Sequence, residues 1–186
     1  MGKWEIAKEI SLCYGHRVHN QELIEGYATD TCLACRHLHG HQGTIIVYLE
    51  SGELKNGMVT DFKHLGWLKQ FVDDVLDHKF IMDINDPLFK HEVPCLYDPD
   101  DGYFWAEWLL NHPEGYKTIS PEAYENEPQP IQEKYEGMVF VDFVPTSENL
   151  AKWLHGIVSE KMAKIGVSVS RVQLFETPKS QANYFG

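Results

Sequence analysis

Two histidines separated by one glycine, His39-Gly40-His41, are the residues of this chain best placed to do chemistry together. On an extended strand, residues two apart point to the same face, with Cα atoms roughly 6.6 Å apart. Two imidazoles held that way can share one ion at about 2.0–2.1 Å from each ring nitrogen. A third histidine from a neighbouring strand would give three protein ligands and one open position, the arrangement of a catalytic zinc. His16 is the choice for that ligand, because its segment alternates like a strand and can pair beside 37–50. His37, which shares the parity of His39 and His41, and His19 are its rivals. A lone histidine is ordinarily a surface or core residue without metal. The pair plus a strand-borne third is what moves the reading towards a metal.

Cys32-Leu-Ala-Cys35 lies just before this pair. A Cys-x-x-Cys pair can be a redox couple or half of a zinc site. Joined to His39 and His41 it would make a closed Cys2His2 structural site, and His16 would then have no role at the metal. With the site open instead, Cys35 is a thiol near a cation. A cation favours the thiolate, so Cys35 could act as a base at neutral pH.

The elements that must hold these groups can be read from periodicity and punctuation. Residues 3–17 form a strand with Ile6, Ile10, Leu12, Tyr14 and His16 on one parity. Residues 20–34 are a loop, and 37–50 a second strand ending in β-branched residues. SGELKNG is a turn, after which MVTDF briefly resumes the sheet. Asp61 can cap a helix over about 62–77, with Leu65, Leu68, Val72, Val75 and Leu76 as its apolar stripe. Ser147 can cap another over about 148–165, with Leu150, Trp153, Leu154, Ile157, Val158 and Met162. Strands over 167–176 and at the closing NYFG complete a β-β-α-α-β-β frame of α+β class. The segment 84–140 stands apart. It holds seven of the nine prolines, and its Trp105, Trp108 and Leu109 have helical spacing. Its aromatics are expected to make a small satellite core.

The bulk properties bound the function. The chain has 186 residues, enough for one domain with a proper core, and a formal net charge of −12, which argues against a nucleic-acid surface. An anionic substrate would therefore need a local basic patch. No run approaches the ~18 apolar residues of a membrane span, and MGKWEIAKEISL lacks the apolar core of a signal peptide. A cytoplasmic setting is expected, in which the four cysteines do not form a disulfide frame.

The string Cys35-Arg-His-Leu-His39-Gly-His41 resembles the 6-carboxytetrahydropterin synthases of the queuosine and 7-deazapurine pathway, a branch of the 6-pyruvoyltetrahydropterin synthase superfamily. The sister 6-pyruvoyl branch has a wider gap between the cysteine and HGH. The resemblance continues in order along the chain. GHRVH, with His16, is similar to the first zinc-ligand motif, and GMVTDFKHLGWLK to the entry into the first helix. LDHKF carries an Asp-His pair at Asp77 and His78. PTSENLAKWL, with Glu148, resembles the start of the second helix, and LFETPKSQANYFG, with Glu176, the closing hairpin. The matches cover most of 4–83 and 142–186, and the segment 84–140 is the departure.

What the resemblance implies is specific. The fold would be the tunnelling fold, an antiparallel four-stranded sheet with two helices on one face, as a single domain over 1–186 with 84–140 inserted between the helices. Zn2+ would be held by His16, His39 and His41. Cys35 would be the general base, Asp77 and His78 an acid–base pair, and Glu176 and Glu148 the pterin-binding carboxylates. Without the resemblance, Asp77 and His78 read as a helix end, where a histidine is favourable anyway. Glu148 reads as a first-turn acid and Glu176 as an exposed strand-end acid. The implied reaction converts 7,8-dihydroneopterin triphosphate to 6-carboxy-5,6,7,8-tetrahydropterin, acetaldehyde and triphosphate. The implied assembly is a homohexamer, a dimer of trimers with sites between subunits, and without nucleic-acid or membrane partners. The alternatives are 6-pyruvoyltetrahydropterin synthase activity and a non-catalytic Cys2His2 zinc module.

Overall fold

Period-two alternation carries the two strands that bear the histidines. In the computed structural model, which describes residues 2–186, β1 (Trp4–His16) buries Ile10, Leu12, Tyr14 and His16, while Cys13 and Gly15 between them are only partly covered. β2 (His39–Ser51) buries Ile45, Val47 and Leu49 on one face. It starts two residues later than expected, so His37 is not on the strand. It follows a single 3-10 turn at Ala34–Arg36.

The chain divides into two compact units. One comprises the chain up to Tyr14, His41–Asp77 and Thr146–Gly186. Its strands run β1-β2-β7-β8, where β7 is Ser168–Thr177 and β8 is Ser180–Tyr184. β2 and β7 are antiparallel, with Thr44 opposite Phe175 and Val47 opposite Val172, and β7 and β8 form a hairpin. The first helical run is helical throughout but not uniform. A 3-10 turn at Phe62–Leu65 passes into α1 (Gly66–Phe71) and then a π-turn at Val72–Leu76. Asp61 caps it as expected, accepting the Lys63 N–H at 2.8 Å. Leu65, Leu68, Val72 and Leu76 are buried, whereas Val75 is half-buried.

The second long helix of this unit, labelled α4 below because two short ones precede it, spans Ser147–Ala163. Its cap is Thr146 rather than Ser147, and the Thr146 hydroxyl accepts the Asn149 N–H at 3.3 Å. Ala151 and His155 join Leu150, Leu154, Val158 and Met162 in its buried face. Trp153 and Ile157 are left half-covered. α4 packs on β7 and β8, and Trp153 meets Phe71 edge-on at 6.1 Å.

The other unit comprises Gly15–Gly40 and His78–Pro145, with strands ordered β4-β5-β6-β3. These are β3 (Lys79–Asp83), β4 (Leu109–Asn111), β5 (Lys117–Ile119) and β6 (Met138–Val141). β3 and β6 are parallel. α2 (Phe89–Glu92) and α3 (Gln129–Glu136) are its short helices. The four-stranded description is thus corrected: the described residues hold eight strands, in an α+β arrangement with four α-helices. MVFV at β6 is buried at every position. Such a strand reads as a continuous apolar run without alternation, which is why periodicity passed over it. MVTDF makes no strand, only an isolated bridge between Lys55 and Met58. Nor do Trp105, Trp108 and Leu109 share a helix: Ala106–Trp108 is one 3-10 turn and Leu109 opens β4.

The satellite core is present. Phe89, Leu96, Ile119, Tyr124, Tyr135, Met138 and Phe140 pack together, with Phe89 edge-on to Phe140 at 5.3 Å. Phe140 is fully buried. Phe140→Ala is expected to destabilise this unit by about 3–5 kcal/mol, the usual effect of emptying a buried phenylalanine site. Urea unfolding checks this; an unchanged midpoint would mean that the cluster contributes little. Among the described residues, no helix is long and apolar enough to cross a membrane.

Candidate metal centre and acid–base cluster

His16 ends β1 and is fully buried, while His39 and His41 open β2. Each of the three offers a ligand atom, and these atoms lie within 4.8 Å of one another. The His16 and His39 rings stand 4.5 Å apart, tilted by 48°. Their outer nitrogens are held by backbone oxygens: His16 Nδ1 lies 2.7 Å from the Pro145 carbonyl and His39 Nδ1 2.8 Å from the His37 carbonyl. A carbonyl oxygen only accepts, so Nδ1 donates in both rings, and in a neutral imidazole so arranged Nε2 is the nitrogen that can ligate a metal. Imidazoles that ligate metals are oriented in this way. Three imidazoles, two of them so oriented, fit a zinc ion with an open position.

Gly15 helps place His16. A Cβ there would come within 2.5 Å of the Phe80 ring, so only glycine allows this approach. Beyond His16, Arg17 pairs with Asp86 at 3.0 Å and His19 with Asp83 at 3.1 Å, both acids being buried. His19 is therefore engaged by a carboxylate, and His37 contributes its carbonyl rather than its ring to the support of His39.

Glu176, on β7, comes to 3.5 Å from His41 Nε2. Tyr14 packs against the His41 ring at 5.9 Å. Burial, with the Glu176 carboxylate adding to it, pushes the Tyr14 hydroxyl well above its ordinary range, so it stays protonated. Glu148 is exposed in the first turn of α4, three residues after Pro145.

Cys35 sits in the 3-10 turn, partly covered. Its N–H donates to Gln21 Oε1 at 3.0 Å, and its carbonyl accepts the Val18 N–H at 2.7 Å. Arg36 donates twice to the Gln21 carbonyl. The turn bearing the thiol is thereby tied to the segment that follows His16. Cys32 is exposed. Among the described residues, neither Cys32 nor Cys35 belongs to a group of side chains poised to share a metal.

Asp77 and His78 lie where the π-turn meets β3. Asp77 Oδ1 accepts the Cys13 N–H at 2.6 Å. His78 has φ +57°, a left-handed conformation that costs a non-glycine residue about 1–2 kcal/mol. Such strain and π-turns both concentrate at functional positions. The structure adds a residue that the sequence reading had left out: the Cys13 thiol, the Asp77 carboxylate and the His78 ring offer ligand atoms within 4.8 Å of one another. Cys13 carries no local signal, because its strand is recognised by the opposite parity.

Six basic side chains that could meet an anionic substrate, Arg17, Arg36, Lys79, Lys161, Lys164 and Arg171, all have intramolecular partners. Besides Arg17 and Arg36, Lys79 donates to the Glu136 carbonyl and Lys161 lies over the Trp67 ring. Lys164 pairs with Glu160, and Arg171 pairs with Glu5 while lying over Tyr48.

Residues 5–186 match the family model described as 6-pyruvoyl tetrahydropterin synthase. The chain is 31% identical, over 193 aligned positions covering 98% of each chain, to 6-carboxy-5,6,7,8-tetrahydropterin synthase of Aquifex aeolicus. It is similar to the crystal structure of an uncharacterized protein from Wolinella succinogenes, with a TM-score of 0.93 and 48% identity, covering 100% of this chain and 99% of that one. The 6-pyruvoyl tetrahydropterin synthase of Caenorhabditis elegans shares the fold, with a TM-score of 0.55 at 20% identity, covering 100% of this chain and 97% of that one.

Proposed function

Because this chain belongs to the 6-pyruvoyl tetrahydropterin synthase family, we propose that it is a zinc-dependent carbon–carbon lyase of the 6-carboxytetrahydropterin branch. Its substrate is 7,8-dihydroneopterin triphosphate, and its products are 6-carboxy-5,6,7,8-tetrahydropterin, acetaldehyde and triphosphate. One water supplies the second carboxyl oxygen. The observation that carries this reading is the three-imidazole cluster with two Nδ1 atoms anchored to backbone carbonyls. Three protein ligands would leave a bound zinc an open position, as chemistry on a substrate requires. The full-length similarity to the Aquifex protein and the Cys35-x3-His39-Gly-His41 spacing favour the carboxy branch.

His16, His39 and His41 would hold the zinc. When bound, the ion supplies Lewis-acid stabilisation to oxygens of the substrate side chain. Cys35 removes a proton from the side-chain carbon next to the ring, where the electron-poor pterin accommodates the negative charge. Asp77 and His78 return and redistribute protons along the side chain, the carboxylate orienting the imidazole and supporting its charged form. Glu176 takes two parallel hydrogen bonds from the amino group and adjacent N–H of the pterin. Its position beside His41 supports that assignment. Glu148 contributes a second carboxylate to pterin binding from the start of α4. We read 84–140 as an insertion within a single tunnelling-fold domain over 1–186, and the working form as a cytoplasmic homohexamer, a dimer of trimers with sites between subunits. The product would enter queuosine synthesis.

Incubation of the purified zinc-loaded protein with 7,8-dihydroneopterin triphosphate is expected to release acetaldehyde in equal amount with the carboxypterin. A pyruvoyl product without acetaldehyde would move the protein to the sister activity. No turnover with full zinc occupancy would sink both.

A further inference from the structure

The grouping of Cys13, Asp77 and His78 is not used up by acid–base chemistry. Cys13 lies three residues before the end of β1, between the buried Leu12 and Tyr14, so its place is set by a packed strand. It is three residues from His16, an odd separation, and the two side chains leave opposite faces of that strand. Thiolate, carboxylate and imidazole are each ligands of zinc-type cations, and together they favour these over magnesium or calcium, which take oxygen. Tetrahedral bonds of about 2.0–2.3 Å put ligand atoms about 3.3–3.7 Å apart. The three ligand atoms, all within 4.8 Å of one another, are a small side-chain adjustment from that spacing. Asp77 is already oriented by the Cys13 N–H at 2.6 Å, much as a ligating carboxylate is held by an outer partner. The exposed His78 gives an ion a way in.

We infer that Cys13, Asp77 and His78 form a second site for a thiophilic divalent cation of the zinc and cobalt class, separate from the three-histidine centre. Binding converts the Cys13 thiol to thiolate and releases its proton to solvent. An ion there engages the same carboxylate and imidazole that are assigned to proton transfer, so an excess of such metal would take that pair out of use. The site itself does not depend on the proposed reaction.

Cobalt(II) titration of the chelator-stripped full chain tests this without reference to turnover. The wild type is expected to take up two equivalents per chain, one of them with a near-ultraviolet sulfur-to-cobalt absorption. Cys13→Ser should keep one equivalent and lose that absorption. His78→Asn, which keeps a residue tolerant of the left-handed backbone, should weaken the sulfur-linked equivalent at least tenfold, so the test stands even if the Cys13 variant folds poorly. Cys35→Ser should leave the absorption in place. Saturation of the wild type without a sulfur-to-cobalt band, or a band that survives Cys13→Ser or vanishes in Cys35→Ser, would overturn the assignment, whereas a single equivalent that carries the band would instead remove the three-histidine centre.

Discussion

Cys35→Ala is expected to lower turnover of 7,8-dihydroneopterin triphosphate by about 10²–10⁴-fold, the range of a lost general base. Zinc at the three histidines should stay in place. The two halves of this expectation have different origins. The loss of rate follows from the thiol's assigned role in removing the side-chain proton. Retention of metal follows from the absence of Cys35 from either cluster of metal-ready side chains among the described residues. Its backbone bonds to Gln21 and Val18 do not involve the sulfur, so the turn should survive the truncation. Turnover and zinc content measured on the same preparation decide the matter. Near-normal rates would show that another group is the base. Zinc lost along with activity would instead favour the closed Cys2His2 module, in which Cys32→Ala would also release the ion.

His39→Ala should lower zinc affinity by more than about 100-fold and bring turnover down with it. Loss of an outer orienting partner typically costs 10–100-fold in metal affinity, and removal of a ligand should exceed that. His39 is the informative position for two reasons. Its ring faces His16 at 4.5 Å, and its Nδ1 is committed to the His37 carbonyl, so its metal-binding capacity rests on Nε2. Zinc would be quantified by chelator competition in a Cys13→Ser background, so that the second cluster does not contribute. Stoichiometric zinc in that protein would remove the three-histidine centre from consideration and return His19 or His37 as ligands.

The candidate site was legible in sequence where it depends on spacing along one element. His39 and His41 share a face of one strand because they are two apart, and Asp61 caps its helix through a local hydrogen bond to Lys63. The cap of the second helix was placed one residue late, since Thr146 and Ser147 are both good caps and only the chain's path chooses between them. β6 was missed because it is apolar and buried at every position, and a doubly buried strand has no alternation to detect; its parallel partner β3 has only Phe80, Ile81 and Met82 in a row between two charged ends, too short a run to show a period.

By itself, then, the sequence determined which residues share a face, which segments bury one side, and which donor types recur at metal-ligand spacing. These are properties of neighbours a few residues apart, governed by the fixed periods of strand and helix. Only the tertiary structure decided that the Pro145 carbonyl, 129 residues away, orients His16, and that Asp77, 64 residues away, receives the Cys13 amide. It also decided that His19 and Arg17 are held by the buried Asp83 and Asp86. Such contacts depend on strand register and on the packing of whole elements, which no local period encodes.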